Sequence, residues 1–151
     1  MLVPIIMGSG TDQPHAEKIV EVLSRFGVRS ELYVGSAHKV PELVLDIVKD
    51  FNKSDEAIVF ITIAGRSNAL SGFVAANSVH PVIACPPFKD KSDYTVNIHS
   101  TLQMPSDTPA LTVIDPGNAA HAALRILALT DKKLRKAVES HIGKMKEKFN
   151  T

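Results

Sequence analysis

Three short polar runs hold the residues of this chain whose types and spacing suit chemistry. The first is Gly8-Ser9-Gly10-Thr11-Asp12. Its glycines let backbone amides approach a ligand closely, and Ser9 and Thr11 add hydroxyl donors, so a phosphate suits it. Asp12 is a poor neighbour for phosphate but can accept from a sugar hydroxyl or a ring amine. A glycine turn with a Thr or Asp cap is the plainer alternative. The second run is Gly35-Ser36-Ala37-His38-Lys39. An imidazole with an ordinary pKa near ~6.5 takes and returns a proton at neutral pH, and Lys39 offers charge to a phosphate or carboxylate. The alternative is a loop histidine packed on a helix end beside a solvated lysine. The third run is Ala64-Gly65-Arg66-Ser67-Asn68, followed by Ala69-Leu70-Ser71-Gly72. Its small residues leave room for a ligand against a polar wall of Arg66, Ser67 and Asn68. Alternatively Arg66 pairs with a surface acid, and Ser67 or Asn68 caps a helix.

The elements that must position these runs are legible from hydrophobic pattern. Residues 2–7 form an apolar strand ahead of the first run. A helix follows, capped by Thr11 or Asp12, with Pro14 in its first turn, Ile19, Val20, Leu23 and Phe26 on one face, and Gly27 as its stop. Residues 31–34 make a second strand before the His38 run, and a helix opening at Pro41 buries Leu43, Val44, Ile47, Val48 and Phe51. The unbroken apolar run 57–63 suits a strand covered on both faces, as in a parallel sheet. A short helix over 67–77, a strand over 81–85, a helix over 94–102 and a strand over 110–114 follow. Residues 118–129 are apolar almost all round, which predicts a buried helix. A last amphipathic helix carries Leu134, Val138, Ile142, Met145 and Phe149 along one stripe.

Strands alternating with helices imply right-handed βαβ units and a parallel sheet between helical layers. The expected fold is a three-layer α/β/α domain of flavodoxin-like type, residues 1–130, with a C-terminal helix, 131–151, packed on it or on a neighbouring subunit. In such a fold ligands lie outside the carboxyl ends of the strands, where strand order reverses. All three polar runs follow predicted strands, so all three converge on that edge. Their clustering carries more weight than any one of them.

Composition narrows the class further. The 151 residues have the length of one ordinary domain. The net charge of +1 argues against a dedicated binder of nucleic-acid polymers. It hides an asymmetry: residues 131–151 hold seven Lys or Arg against three acids, +4, so the remainder carries ten against thirteen, −3. No apolar run reaches the ~20 residues of a membrane span, and the start lacks the pattern of a signal peptide. Cys85, the only cysteine, excludes an internal disulfide and reads as a small buried hydrophobe ahead of Pro86-Pro87-Phe88, a loop that either walls the site or simply turns the chain. A reducing, cytoplasmic setting is expected. His15, His80, His99, His121 and His141 are scattered without ligand spacing, so they read as structural and no metal is expected.

Taken together, the motifs resemble a known family. Met7-Gly8-Ser9 with Thr11-Asp12, Phe26-Gly27-Val28, Ser36-Ala37-His38-Lys39, Pro81-Val82-Ile83 and Gln103-Met104-Pro105 occur in the order of the PurE family of purine biosynthesis, over residues 3–129. That family has a mutase type, which rearranges N5-carboxyaminoimidazole ribonucleotide. It usually shows Ser-Ala-His-Arg and a second histidine after the third strand. Here Lys39 follows His38, the later loop has no histidine, and Ala64-Gly65-Arg66-Ser67-Asn68 with Cys85-Pro86-Pro87 resembles the carboxylase type.

The resemblance implies carboxylation of 5-aminoimidazole ribonucleotide (AIR) by CO2 to the 4-carboxy product, without biotin, ATP, metal or other cofactor. It implies His38 as general acid/base and Ser9, Thr11, Asp12, Ser36 and Lys39 around the ribose 5-phosphate. Gly65, Arg66, Ser67 and Asn68 would line the CO2 or carboxylate end. A homo-oligomer is also implied, and a wholly apolar 118–129 helix fits one. The rival readings are the mutase and a non-catalytic flavin or nucleotide carrier, the latter disfavoured because no aromatic residue flanks the three runs. A phosphorelay receiver would need an Asp where Ala64-Gly65 stands.

Overall fold

The structure is a computed structural model, and it describes residues 1–149. Strands β1 (Leu2–Met7), β2 (Arg29–Val34), β3 (Phe60–Ile63), β4 (Val82–Ala84) and β5 (Ala110–Thr112) form one sheet in the order β2-β1-β3-β4-β5. Every pairing is parallel, with Ile5 beside both Leu32 and Ile61, and Ile83 beside both Ile61 and Leu111. This is the flavodoxin-like order, whose reversal falls between β1 and β3. The helices are α1 (Gln13–Arg25), α2 (Pro41–Phe51), α3 (Ala69–Asn77), α4 (Lys91–Leu102), α5 (Pro116–Leu127) and α6 (Lys132–Glu147).

Strand alternation sorts the core into two layers. Val3, Ile5, Met7, Val59, Ile61 and Ile63 pack with Ile19 and Leu23 of α1, Leu124 of α5 and Leu134 of α6. Leu2, Ile6 and Phe60 face the other way, onto Val44 and Val48 of α2 and Leu70 and Val74 of α3. Thr62 shares that second face and is fully buried, its hydroxyl 2.8 Å from Ser71 Oγ on α3.

Several expectations change. The helix after β1 is preceded by a short 3-10 turn, Gly10–Asp12, and Ser9 caps that turn. Asp12 heads α1 without a side-chain cap bond. Gly27 does stop α1, with φ 69°, the left-handed conformation favoured at a helix C-terminus. Leu43 is exposed, because only Val44 and Val48 of α2 point inward fully. The expected helix over 118–129 spans Pro116–Leu127 and is two-faced: Ala119, Ala120, Ala123, Leu124 and Leu127 are buried, whereas Arg125 and Leu129 are exposed. The domain's own core covers the apolar face of α5, so that face needs no second subunit. On α6, Leu134 and Val138 join the core, while Met145 and, beyond the helix end, Phe149 lie exposed. The last two residues of the 131–151 segment lie outside the described residues.

Helix α4 differs from the rest. Its only buried residues are Asn97 and Thr101, so polar contacts rather than an apolar face dock it. Among the described residues no buried side-chain N or O lacks a partner.

Candidate active site

The loops after β1, β2, β3 and β4 enclose a cavity of about 690 Å³ at the carboxyl end of the sheet. That volume lies within the range typical of small-molecule sites. Ser9, Thr11, Asp12, Ser36, His38, Lys39, Gly65, Arg66 and Ser67 all line it. The fold brings them together because the loops extend the strand ladder before diverging: Gly8 N–H donates to Ile63 O and Gly35 N–H to Met7 O, both at 2.8 Å.

In the first loop the short polar side chains bond one another. Thr11 Oγ1 donates to Ser9 Oγ at 2.9 Å, Thr11 N–H reaches the same oxygen at 3.3 Å, and Ser9 N–H donates to Asp12 Oδ2 at 3.1 Å. These bonds hold the Asp12 carboxylate beside the cavity. Burial pushes its pKa up, opposed by the Ser9 amide. In the second loop, Lys39 and Val40 amides donate to Ser36 O at 3.2 and 2.9 Å, a tight turn with His38 and Lys39 exposed at its tip. A Cβ on Gly35 would meet Val44 Cγ2 at 2.8 Å, so the turn must start on glycine to sit this close to α2.

The third loop carries the cavity's least ordinary backbone. Arg66 has φ 53°, left-handed and unusual for a residue with a Cβ. Arg66 and Ser67 are exposed to the cavity, and none of the ion pairs among the described residues involves Arg66. Asn68 departs from expectation. It does not line the cavity but is buried as the N-cap of α3, accepting from Ser71 N–H at 3.1 Å and Ser71 Oγ at 3.0 Å, and donating to Thr101 Oγ1 at 3.0 Å. All of its side-chain capacity toward α3 and α4 is thus committed to the fold.

Other lining residues escaped the sequence reading. His15, in the first turn of α1, reaches the wall with Nε2 3.3 Å from Cys85 Sγ. Burial first, then Lys18, lowers its pKa, with Asp115 opposing. The loop after β4 adds Phe88, whose ring meets Tyr94 edge-on at 5.1 Å, so one aromatic does reach the site. It also adds Lys89, and α4 adds Asp93 and Asn97. None belongs to a glycine-bearing run. Only the Pro86-Pro87-Phe88 motif signalled that this loop walls the site. Lys39, Arg66 and Lys89 against Asp12 and Asp93 leave the lining with a surplus of positive charge, suited to an anionic ligand. Cys85 is buried as expected, and burial, with Asp115 nearby, pushes its thiol up to about 12. Among the described residues no three metal-ligating side chains gather, and no helix is long and apolar enough to cross a membrane.

Fold and cavity together define an α/β protein with an anion-suited, histidine-bearing cleft at the switch point of its sheet. The model of the AIR carboxylase family matches residues 2–148. The chain therefore belongs to that family, the PurE proteins of purine biosynthesis. It is 47% identical over 134 residues to a phosphoribosylaminoimidazole carboxylase of Archaeoglobus fulgidus, covering 89% of this chain and 73% of that one. It is also 47% identical over 149 residues to an N5-carboxyaminoimidazole ribonucleotide mutase of Methanocaldococcus jannaschii, covering 97% and 92%. The crystal structure of Treponema denticola PurE superposes with a TM-score of 0.94 at 43% identity, over 98% of this chain and 93% of that one.

Proposed function

We propose that this protein carboxylates AIR directly with CO2, and that the composition of the β3–α3 loop carries the reading. Relatives of equal identity bear the names of both activities, so overall similarity does not choose between them. The loop at the cavity does: it offers Gly65, Arg66 and Ser67 and no second histidine beside His38. A carboxylate migrating from the exocyclic amino nitrogen to C4 must be released and recaptured within the site. Direct carboxylation asks only for a place to hold CO2 and one base.

The aminoimidazole is an enamine-like nucleophile. Its C4 forms a bond to the carbon of CO2, whose π electrons pass to oxygen as a carboxylate. C4 is then tetrahedral, and loss of its proton to His38 restores the aromatic ring. In reverse His38 protonates C4, and the carboxylate leaves as CO2. The first loop's amides and hydroxyls, Ser36 and Lys39 hold the ribose 5-phosphate, and Asp12 accepts from the ribose hydroxyls. Arg66 and Ser67 meet the new carboxylate, with Gly65 leaving space for it. Asn68 contributes by shaping the loop. His38 suits its role because it stands at a loop tip, exposed to the cavity and free of fixed partners among the described residues.

We further propose a homo-oligomer working in the cytoplasm. Support for assembly comes from the two open sheet edges, which each present an exposed apolar side chain for a neighbour to cover, Val34 at 51% and Leu111 at 52%. Light scattering at the 16.3 kDa of one chain would refute the oligomer. The activity test supplies AIR with bicarbonate and, separately, the N5-carboxylated nucleotide. Turnover of AIR with bicarbonate is expected, and turnover of only the second substrate overturns the carboxylase reading in favour of the mutase.

A further inference from the structure

Three side chains on one face of α4 hold the β3–α3 loop. Asn97, Ser100 and Thr101 stand at the i, i+3 and i+4 spacing that lines a helix face. Asn97 Oδ1 accepts from Arg66 N–H, Ser100 Oγ accepts from Asn68 N–H at 2.5 Å, and Thr101 Oγ1 accepts from Asn68 Nδ2 at 3.0 Å. The other end of the Asn97 amide donates to Pro87 O at 2.6 Å. One side chain, 2% exposed, therefore joins two walls of the cavity and spends both a donor and an acceptor doing so.

Gly65 packs directly on this amide. A Cβ there would stand 2.8 Å from Asn97 Nδ2, closer than real Cβ atoms approach, and a tight 3.2 Å from Cγ. Immediately afterwards the chain takes the left-handed turn at Arg66, a conformation that persists only where its surroundings impose it. Packing is a poor account of Asn97. Helix α4 buries no apolar side chain, and a leucine of similar volume would fill the space without making either bond.

We propose that Asn97 is a positioning residue whose amide fixes the Gly65–Arg66 turn and so sets where the Arg66 guanidinium meets the carboxylate. The role of Arg66 here rests on the carboxylase reading above.

The test measures AIR carboxylation as a function of each substrate. For Asn97→Ala the apparent KM for bicarbonate should rise roughly fivefold or more while that for AIR stays within about twofold. Mere loss of folded protein would lower kcat and move neither KM. Hydrogen exchange at the Arg66 amide should quicken by about tenfold or more, while amides of β3 keep their protection. Gly65→Ala supplies the second arm. It should impair the wild type, because its Cβ displaces the amide, but add less than about twofold to Asn97→Ala, where those atoms are gone. Equal losses from Gly65→Ala in both backgrounds, or unchanged bicarbonate KM and Arg66 exchange in Asn97→Ala, overturn the proposal. If Asn97→Ala does not fold, Asn97→Ser, whose side chain is too short to span Arg66 N–H and Pro87 O, carries the same bicarbonate KM and Arg66 exchange readings, and wild-type values there overturn it instead. Absence of AIR turnover by the wild type would instead overturn the carboxylase reading, and the exchange measurement still decides the clamp.

Discussion

Replacing Asn68 by alanine should destabilise the protein by about 3 kcal/mol, because the side chain caps a helix and bridges to a second one. The cap alone contributes about 1 kcal/mol, through the bond from Ser71 N–H at 3.1 Å. The bonds with Ser71 Oγ and Thr101 Oγ1, each 3.0 Å, add about 1 kcal/mol apiece, and more if the stranded hydroxyls stay dry. Thr62 Oγ1 can still partner Ser71 at 2.8 Å, and Thr101 still donates to Asn97 O at 2.7 Å, which keeps the total from rising further. For a chain of this size the loss corresponds to a drop in Tm of about 6–12 °C. Urea unfolding of wild type, Asn68→Ala and Asn68→Asp reads it. The aspartate keeps the cap acceptor but sets a buried carboxylate oxygen against Thr101 Oγ1, so it should recover about the cap's share, ~1 kcal/mol, and no more. An Asn68→Ala protein within about 0.5 kcal/mol of wild type, a surface-like cost, but with a raised KM, would refute the reasoning and return Asn68 to the ligand.

The remaining predictions concern the cavity and its floor. His38→Asn should keep the fold and AIR binding, measured by calorimetry, and abolish carboxylation; wild-type turnover would remove His38 from the proton transfer. Lys39→Ala should raise the KM for AIR roughly tenfold with kcat little changed, as expected for a screened cation on a phosphate, and an unchanged KM would make Lys39 merely solvated. The Cys85 thiol, held up to about 12 when folded, ionises first in the unfolded chain. Its contribution is therefore intact below pH ~9 and is lost as pH rises toward the folded value, by at most about 1.4 kcal/mol per pH unit. Denaturation between those limits should show a slope that Cys85→Ala flattens. An identical slope in both proteins would place the effect elsewhere.

What the sequence makes legible depends on the kind of contact. The central strands were visible because burial on both faces needs uninterrupted apolar runs, as in Ile61 and its neighbours, and the helices because Ile19 and Leu23 recur at helical spacing. Loops that follow strands inherit the sheet's carboxyl edge, so the strand pattern alone gathers Ser9, His38 and Arg66 at one site. Ser9 as cap of a 3-10 turn was less visible, since Thr11 and Asp12 suit the same role by type. His15 was missed because it sits on a helix, where one turn's rotation decides between solvent and cavity. The exposure of Leu43 has the same origin.

Asn97 marks the deeper limit. The helix itself is legible over 94–102, but nothing in its pattern singles out Asn97, because the only residues α4 buries are polar. Yet the site explains why such a helix is needed. An arginine in left-handed backbone presents an amide that must be paired, and it stands beside a cavity meant for an anion. An apolar wall could satisfy neither that amide nor the carbonyl of Pro87, and leaving a buried polar group unpaired costs about 1–3 kcal/mol. A polar helix face meets both needs at once, and it couples the β3–α3 and β4–α4 loops through the same amide. The polar docking of α4 and the charge of the cleft are therefore one requirement seen from two sides.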